Sequence, residues 1–338
     1  MKQRTKTIVI TGGAGFIGSA LVRFILRKTD FDVVNIDKLT YSGSLKNLAE
    51  YANNPRHHFV CEDICNENAI QQVLHQYQPC GIIHLAAESH VDNSILAADC
   101  FIQTNVVGTY TLLKTALAYY QTLNQTVQQN FRFLHVSTDE VFGSLKDNDK
   151  PFTENSPYQP NNPYAASKAS ADCLVRAWHQ TYKLPTIISH CCNNYGEYQY
   201  PEKLIALAIK NALSHQNIPI YGNGLQIRDW IYVEDHVRAL WLIFQKGNIG
   251  ENYIISNEDS CNNLQLINTI CEILDEIKPQ KNSQSYRQYI QHVPDRLGHD
   301  IRYASNATKL RQQLNWTAQT NFTQGLRKTV KWYVDNLK

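Results

Sequence analysis

Residues 7–26 read TIVITGGAGFIGSALVRFIL. A short apolar run meets three glycines, Gly12, Gly15 and Gly18, and apolar residues then recur at helical spacing, so a buried strand turns sharply into a helix here. The first glycine allows the tight turn, the second lets backbone approach a pyrophosphate, and the third lets helix pack on strand. The helix N-terminus stabilises the anion. The next apolar run, DVVNID, ends at Asp37, 19 residues after Gly18. A carboxylate there accepts hydrogen bonds from an adenosine ribose and repels a 2′-phosphate, which favours NAD over NADP. The plainer alternative is that Asp37 caps a loop.

Outward from this unit, short strands keep alternating with helical patterns. HHFVCED precedes a helix over residues 69–77, GIIHLAA precedes one over 100–120, and FRFLHVS is followed, after a polar stretch, by one over 164–182 and then the strand PTIISHCC. This order predicts an α/β fold, a Rossmann-like doubly wound parallel sheet. Pro163 suits the start of the 164–182 helix. Beyond about residue 195 the alternation loosens into the helical PEKLIALAIKNAL and pieces such as IPIYGNG and QIRDWIYVED. These predict a smaller mixed α/β lobe for substrate, dividing the chain into residues 1–190 and 191–338, with some later segments able to return to the first domain. The polar stretches at 119–130 and 144–163 read as loops.

Composition sets further bounds. The 338 residues are 43% hydrophobic and 18% charged, with a formal charge of +2. There is no basic excess to attract nucleic acid or an anionic membrane. Nine cysteines without a CxxC pair predict neither a zinc site, nor any other metal centre, nor a disulfide framework, and they fit a reducing cytoplasm. The basic start MKQRTK precedes an apolar run of only about four residues, short of a signal peptide's roughly 7–15. No run approaches the roughly 18 apolar residues that span a bilayer.

Two motifs carry chemistry. In NPYAASK, Tyr164 and Lys168 are four apart and share a helix face. A nearby ammonium and a cationic nicotinamide would favour the phenolate, letting Tyr164 take a proton from a substrate hydroxyl as the carbon loses hydride. A half-buried Tyr and a solvated Lys are the bland alternative. In STDEVFG, Asp139 and Glu140 follow a buried strand directly. Successive strand residues face opposite ways and a buried charge is costly, so the chain is expected to leave the strand there, at the carboxyl edge where ligands bind. An ordinary loop pair is the alternative.

GGAGFIG, LAAES, STDE and YAASK, in this order, resemble the extended short-chain dehydrogenase/reductase family of nucleotide-sugar enzymes. AAESHVD, STDEV, NNYGEYQYPEKLI, GNGLQIRDWIYVEDH and DRLGHDIRY extend the resemblance, over essentially the whole chain, to the 4,6-dehydratase branch. The resemblance implies a lyase acting on dTDP-glucose with tightly bound NAD. C4 is oxidised, water is eliminated across C5 and C6, and hydride returns to C6. By the family's pattern Asp139 is the acid, Glu140 the base, and Thr138 bonds the C4 oxygen beside Tyr164. Positions matching cofactor contacts are Phe16, Ile17, Asp37, Lys38, Leu39, Thr40, Asp63, Ile64, Leu85, Ala86, Ala87, Glu88, Ser89, Thr104, Tyr164, Lys168 and Asn194. Those matching substrate contacts are Ser89, Thr138, Asn193, Lys203, Leu204, Pro219, Ile220, Tyr221, Arg228, Asn263, Asp295, Arg296, Leu297, Gly298 and His299. Arg228 and Arg296 also make independent sense as diphosphate ligands, because guanidinium binds phosphate in a fork; a surface salt bridge is the alternative for either. The 100–120 and 164–182 helices match those that form a homodimer interface in the family.

The chain departs from the family's pattern at Asn93, Phe142, His190, Glu197 and Leu297, none of which removes a catalytic group. Three other functions stay open. UDP- or CDP-glucose could replace the dTDP sugar. A C4 epimerase shares the fold but needs no acid and base at C5 and C6. An inactive NAD-binding sensor needs only the cofactor pocket, with no use for Thr138, Tyr164 and Lys168 together.

Overall fold

The computed structural model describes residues 6–337, so Met1 to Thr5 of the basic start, and Lys338, lie outside the described residues. Strand β1 (Thr7–Thr11) is buried throughout and passes through the glycine turn into helix α1 (Phe16–Lys28). Then come β2 (Asp32–Ile36), β3 (His57–Val60), α2 (Glu67–Tyr77), β4 (Gly81–His84) and a short α3 (Val91–Leu96). A longer helical run follows as α4 (Asp99–Phe101), a π-helical stretch (Ile102–Gly108) and α5 (Thr109–Thr122), with α6 (Gln125–Gln128) after it. Next are β5 (Arg132–Thr138), α7 (Pro163–Tyr182) and β6 (Thr186–Cys191).

These strands form one all-parallel sheet in the order β10-β6-β5-β4-β1-β2-β3, where β10 (Asn252–Ile255) comes from much later in the chain. Because successive strand residues face opposite ways, Ile8 and Ile10 join one core with Leu21 and Ile25 of α1. Val9 joins another with Leu74 of α2, Leu112 of α5 and Val175 of α7. Helices therefore cover both faces, as the alternating pattern predicts.

The remaining elements are β7 (Asn193–Tyr195), α8 (Leu204–Leu213), β8 (Ile218–Tyr221), β9 (Ile227–Tyr232), α9 (Val233–Lys246), β11 (Ser260–Asn262), α10 (Asn263–Ile277), β12 (Ile290–Val293), α11 (Thr308–Leu314) and α12 (Phe322–Asn336). A three-stranded sheet, β11-β9-β7, and the pair β12-β8 build the smaller lobe. Its core joins Ile209, Ile220, Ile270 and Val330 from α8, β8, α10 and α12. By contrast, Leu240 and Phe244 of α9 pack into the core of the large sheet, and β10 pairs with β6. The chain thus crosses between the two layers more than once.

Two local expectations need correction. The polar stretch 119–130 is largely helical, because α5 continues to Thr122 and the Asn124 side chain accepts from the Val127 N–H at 3.1 Å to cap α6. Tyr119 is anchored by its hydroxyl on the Pro79 carbonyl at 3.0 Å, which outweighs the polarity of its neighbours. The helix expected over 100–120 is real but changes register through the π-helical stretch. Pro163 occupies the first turn of α7, where Asn162 accepts from the Ala165 N–H at 2.8 Å. Among the described residues no helix is long and apolar enough to cross a membrane.

Candidate active site

A cavity of about 720 Å3 runs along the carboxyl ends of β1, β2, β4, β5 and β6 and out to the smaller lobe. At its floor Gly12 has φ +72, and a Cβ there would sit 2.6 Å from the Ala86 nitrogen. A Cβ on Gly18 would sit 2.0 Å from the Gly12 carbonyl oxygen. Only glycine lets β1, the turn and α1 close this tightly. Gly15 caps α1, whose free N–H groups face the cavity as an anion site. Asp37 accepts from the backbone of Ala14 (2.9 Å) and of Leu39 (2.8 Å) while lining the cavity. It therefore organises the loop and keeps carboxylate lone pairs for a hydroxyl donor.

The catalytic candidates converge where β5 ends. The strand stops at Thr138, and a 3-10 turn over Asp139–Phe142 begins at once, with Thr138 Oγ1 accepting from the Glu140 N–H at 3.3 Å. Strand alternation ends there, so Thr138, Asp139 and Glu140 all line the same cavity as Tyr164 and Lys168. Asp139 is only 1% exposed. Burial, then the neighbouring Glu140 and Asp229, push its carboxyl well above the usual range, against an opposing hydrogen bond from Ser305. Glu140 is also raised by burial, but Lys203, Arg228 and Arg296 all pull it down. Adjacent carboxyl groups thus have unlike surroundings, one among anions and one facing three cations.

Burial raises Tyr164 well above a free phenol, reinforced by Glu140 and Cys191 and opposed by a hydrogen bond with Thr138. Lys168 donates to the Val136 carbonyl at 2.8 Å. Burial lowers its ammonium, and Asp172, one turn further along α7, works against that loss. Asp172 accepts from Ser137 (2.9 Å) and lies 3.2 Å from His135 Nε2 and 3.1 Å from His190 Nε2. Burial would raise Asp172, but the two histidines beside it outweigh that and hold the group below the carboxylate range. Burial and then Lys168 push His135 down to about 4, so its own imidazole is neutral near pH 7.

The structure brings most sequence-predicted residues to the cavity wall and leaves six off it: Leu39, Asp63, Ile220, Asp295, Leu297 and Gly298. Asp63 instead pairs with Lys38 at 3.4 Å, Ile220 is in the small core, and Asp295 holds His299 Nδ1 at 2.6 Å. Leu297 is 78% exposed. Among the wall residues, Lys203 donates to the Ser89 carbonyl at 2.6 Å. Arg228 donates to the carbonyls of Ile227 (2.8 Å) and Asp300 (2.8 Å), its guanidinium over the Tyr303 ring at 4.2 Å.

Several wall residues were missed, notably Asp92, Cys191, Glu202 and Tyr303. Asp92 accepts from the Tyr221 hydroxyl at 3.3 Å and Arg296 at 3.5 Å, tying α3 to the far wall. It lies inside AAESHVD, so the motif itself was the available signal. None of the departures from pattern lines the cavity. Phe142 packs its ring 4.9 Å from that of His190, Glu197 accepts from the Tyr232 hydroxyl at 2.8 Å, and Asn93 is exposed.

The residues present fit a dinucleotide. The glycine turn leaves room for a pyrophosphate, and the buried Asn194 Oδ1 in the wall has no hydrogen-bond partner and can accept from an amide. Asn263 Oδ1 is a second such acceptor, further out toward the small lobe.

Fold and cavity together define an NAD-dependent nucleotide-sugar enzyme of the extended short-chain dehydrogenase/reductase type. The family model described as GDP-mannose 4,6 dehydratase matches residues 9–329, and the chain belongs to this family, in its dTDP-glucose 4,6-dehydratase branch. The chain is 53% identical over 333 residues to the dTDP-glucose 4,6-dehydratase of Neisseria meningitidis serogroup B, covering 98% of this chain and 94% of the relative. Among solved structures it resembles the Streptomyces venezuelae dTDP-glucose 4,6-dehydratase DesIV with NAD and TYD bound: TM-score 0.89, 40% identity, 98% of this chain and 97% of that one. A UDP-glucose 4-epimerase from Thermotoga maritima, with UDP-glucose, shares the fold at 27% identity and TM-score 0.84, covering 98% of this chain and 100% of that one.

Proposed function

We propose that the protein converts dTDP-glucose to dTDP-4-keto-6-deoxyglucose and water. The observation that carries this reading is the pair Asp139 and Glu140, two cavity carboxyls held in unlike surroundings within one turn of Thr138. When bound, NAD supplies the hydride acceptor for C4, the donor for C6, and a ring charge that works against burial at Tyr164. Tyr164 takes the proton of the C4 hydroxyl, and Thr138 holds the same oxygen. The resulting C4 ketone acidifies the C5 proton, which Glu140 removes. Asp139, kept protonated by burial and its anionic neighbours, gives its proton to the departing C6 hydroxyl. An epimerase has no use for this second acid and base.

Incubating the purified protein with dTDP-glucose and no added reductant is expected to yield a product lighter by one water, with the alkaline absorbance of a 4-keto-6-deoxy sugar. If dTDP-, UDP- and CDP-glucose all remain unchanged, the dehydratase reading fails.

The active form is read as a homodimer. Ile102, Tyr110 and Tyr182 are 48%, 43% and 51% exposed on the helical run 99–122 and on α7, the helices whose counterparts pair in the family. Sedimentation at micromolar concentration is expected to give twice the mass of one chain; a monomer would exclude it.

A further inference from the structure

The acid of the elimination has a partner supplied from the far end of the chain. Ser305 Oγ donates to Asp139 Oδ2 at 3.1 Å, and both residues are 1% exposed. Three backbone bonds fix the serine. Phe152 N–H donates to the Ala304 carbonyl at 2.8 Å, Asn306 N–H donates to the Phe152 carbonyl at 2.9 Å, and Ser305 N–H donates to Asp229 Oδ2 at 2.8 Å. Asp229 is itself held by Ser256 at 3.2 Å and by the Ser260 hydroxyl. The serine hydroxyl thus comes from a segment docked on Phe152 and Asp229.

A protonated carboxyl has one oxygen that carries hydrogen and one that does not. If the outer oxygen is free to turn, the proton points at the sugar only part of the time, and rate is lost to misorientation. A donor fixed on Oδ2 removes that freedom. We propose that Ser305 is a positioning residue for the elimination, holding Asp139 Oδ2 as an acceptor so that Oδ1 carries the proton and delivers it to the C6 hydroxyl. The inference rests on the reading of Asp139 as the acid. In that step the C5–H bond gives its proton to Glu140 and its electron pair to the new C5=C6 bond. The C6–O bond breaks, and the proton from Asp139 Oδ1 completes the water.

The test compares Ser305→Thr with Ser305→Val, which share a shape and differ in the hydroxyl, so that any packing effect cancels. Ser305→Ala is a third variant. Rapid-quench mass analysis follows loss of one water, and the rise of reduced-nicotinamide absorbance follows C4 oxidation. Loss of a single hydrogen bond at the acid is expected to slow water loss about five- to tenfold in the Val and Ala variants. The rise should be unchanged and Thr should stay near wild type. Equal water-loss rates in Thr and Val, or a parallel fall of oxidation and water loss, overturn the proposal. Asp139→Asn in the same assay separates the two layers. If it slows water loss while Thr and Val match, only the Ser305 role fails; if it leaves water loss unchanged, the acid assignment fails and Ser305 with it.

Discussion

Tyr164→Phe is expected to lower turnover about 10³-fold, because one positioned proton acceptor typically contributes roughly 10²–10⁴-fold. The ring stays in place, packed near Phe101 with centroids 6.4 Å apart, so the fold and the cofactor pocket should survive. What disappears is the oxygen that accepts the C4 hydroxyl proton, and without it the carbon cannot release hydride. Stopped-flow absorbance on mixing with dTDP-glucose should therefore show the reduced-nicotinamide rise slowed about 10³-fold. A normal rise in this variant would remove Tyr164 from the oxidation.

The second expected result separates elimination from oxidation. Asp139→Asn and Glu140→Gln should each leave the reduced-nicotinamide rise intact and slow water loss by roughly 10²–10⁴-fold, so that the oxidised sugar accumulates. Loss of the rise in both, with water loss still paired to whatever is oxidised, would place these carboxyls in the first step instead. The pH profile follows from the direction of the shifts. Asp139 must be protonated to act, and its carboxyl is pushed well above the ordinary range, so its contribution is lost as pH rises through that raised value. Glu140 must be ionised, so its contribution is lost as pH falls through its own raised value, which Lys203, Arg228 and Arg296 restrain. Elimination should be bell-shaped in pH. Asp139→Asn should abolish the alkaline limb along with most of the rate, since an amide cannot titrate there.

The two adjacent carboxylates of STDEVFG look anomalous as strand residues because side chains alternate along a strand. The anomaly resolves once β5 is seen to end at Thr138 and a 3-10 turn takes over. Sequence reasoning anticipated the exit from the strand, since a buried pair of charges was otherwise untenable. It did not anticipate the environment of each carboxyl. Asp92 was overlooked for a similar reason. It closes the motif AAESHVD, but its partners Tyr221 and Arg296 come from the opposite wall and nothing in the chain order pairs them with it. The helical nature of 119–130 was hidden by its glutamines, because polarity alone does not register an end-cap or a buried tyrosine anchor.

The sequence by itself determined what depends on near neighbours. It set the glycine turn from β1 into α1, Asp37 at the end of β2, Tyr164 and Lys168 on one face of α7, and the alternation that makes a doubly wound sheet. Each rests on steric fit, helical period or hydrogen bonding within a few dozen residues, and those rules are legible in the order of residue types. The tertiary structure alone decided the surroundings of each carboxyl. Asp139 is held by Ser305, 166 residues away, and raised by Asp229, while Glu140 faces cations from the other lobe. Charge acts through space, and burial removes the water that would screen it, so a proton's place depends on which distant groups the fold brings within reach.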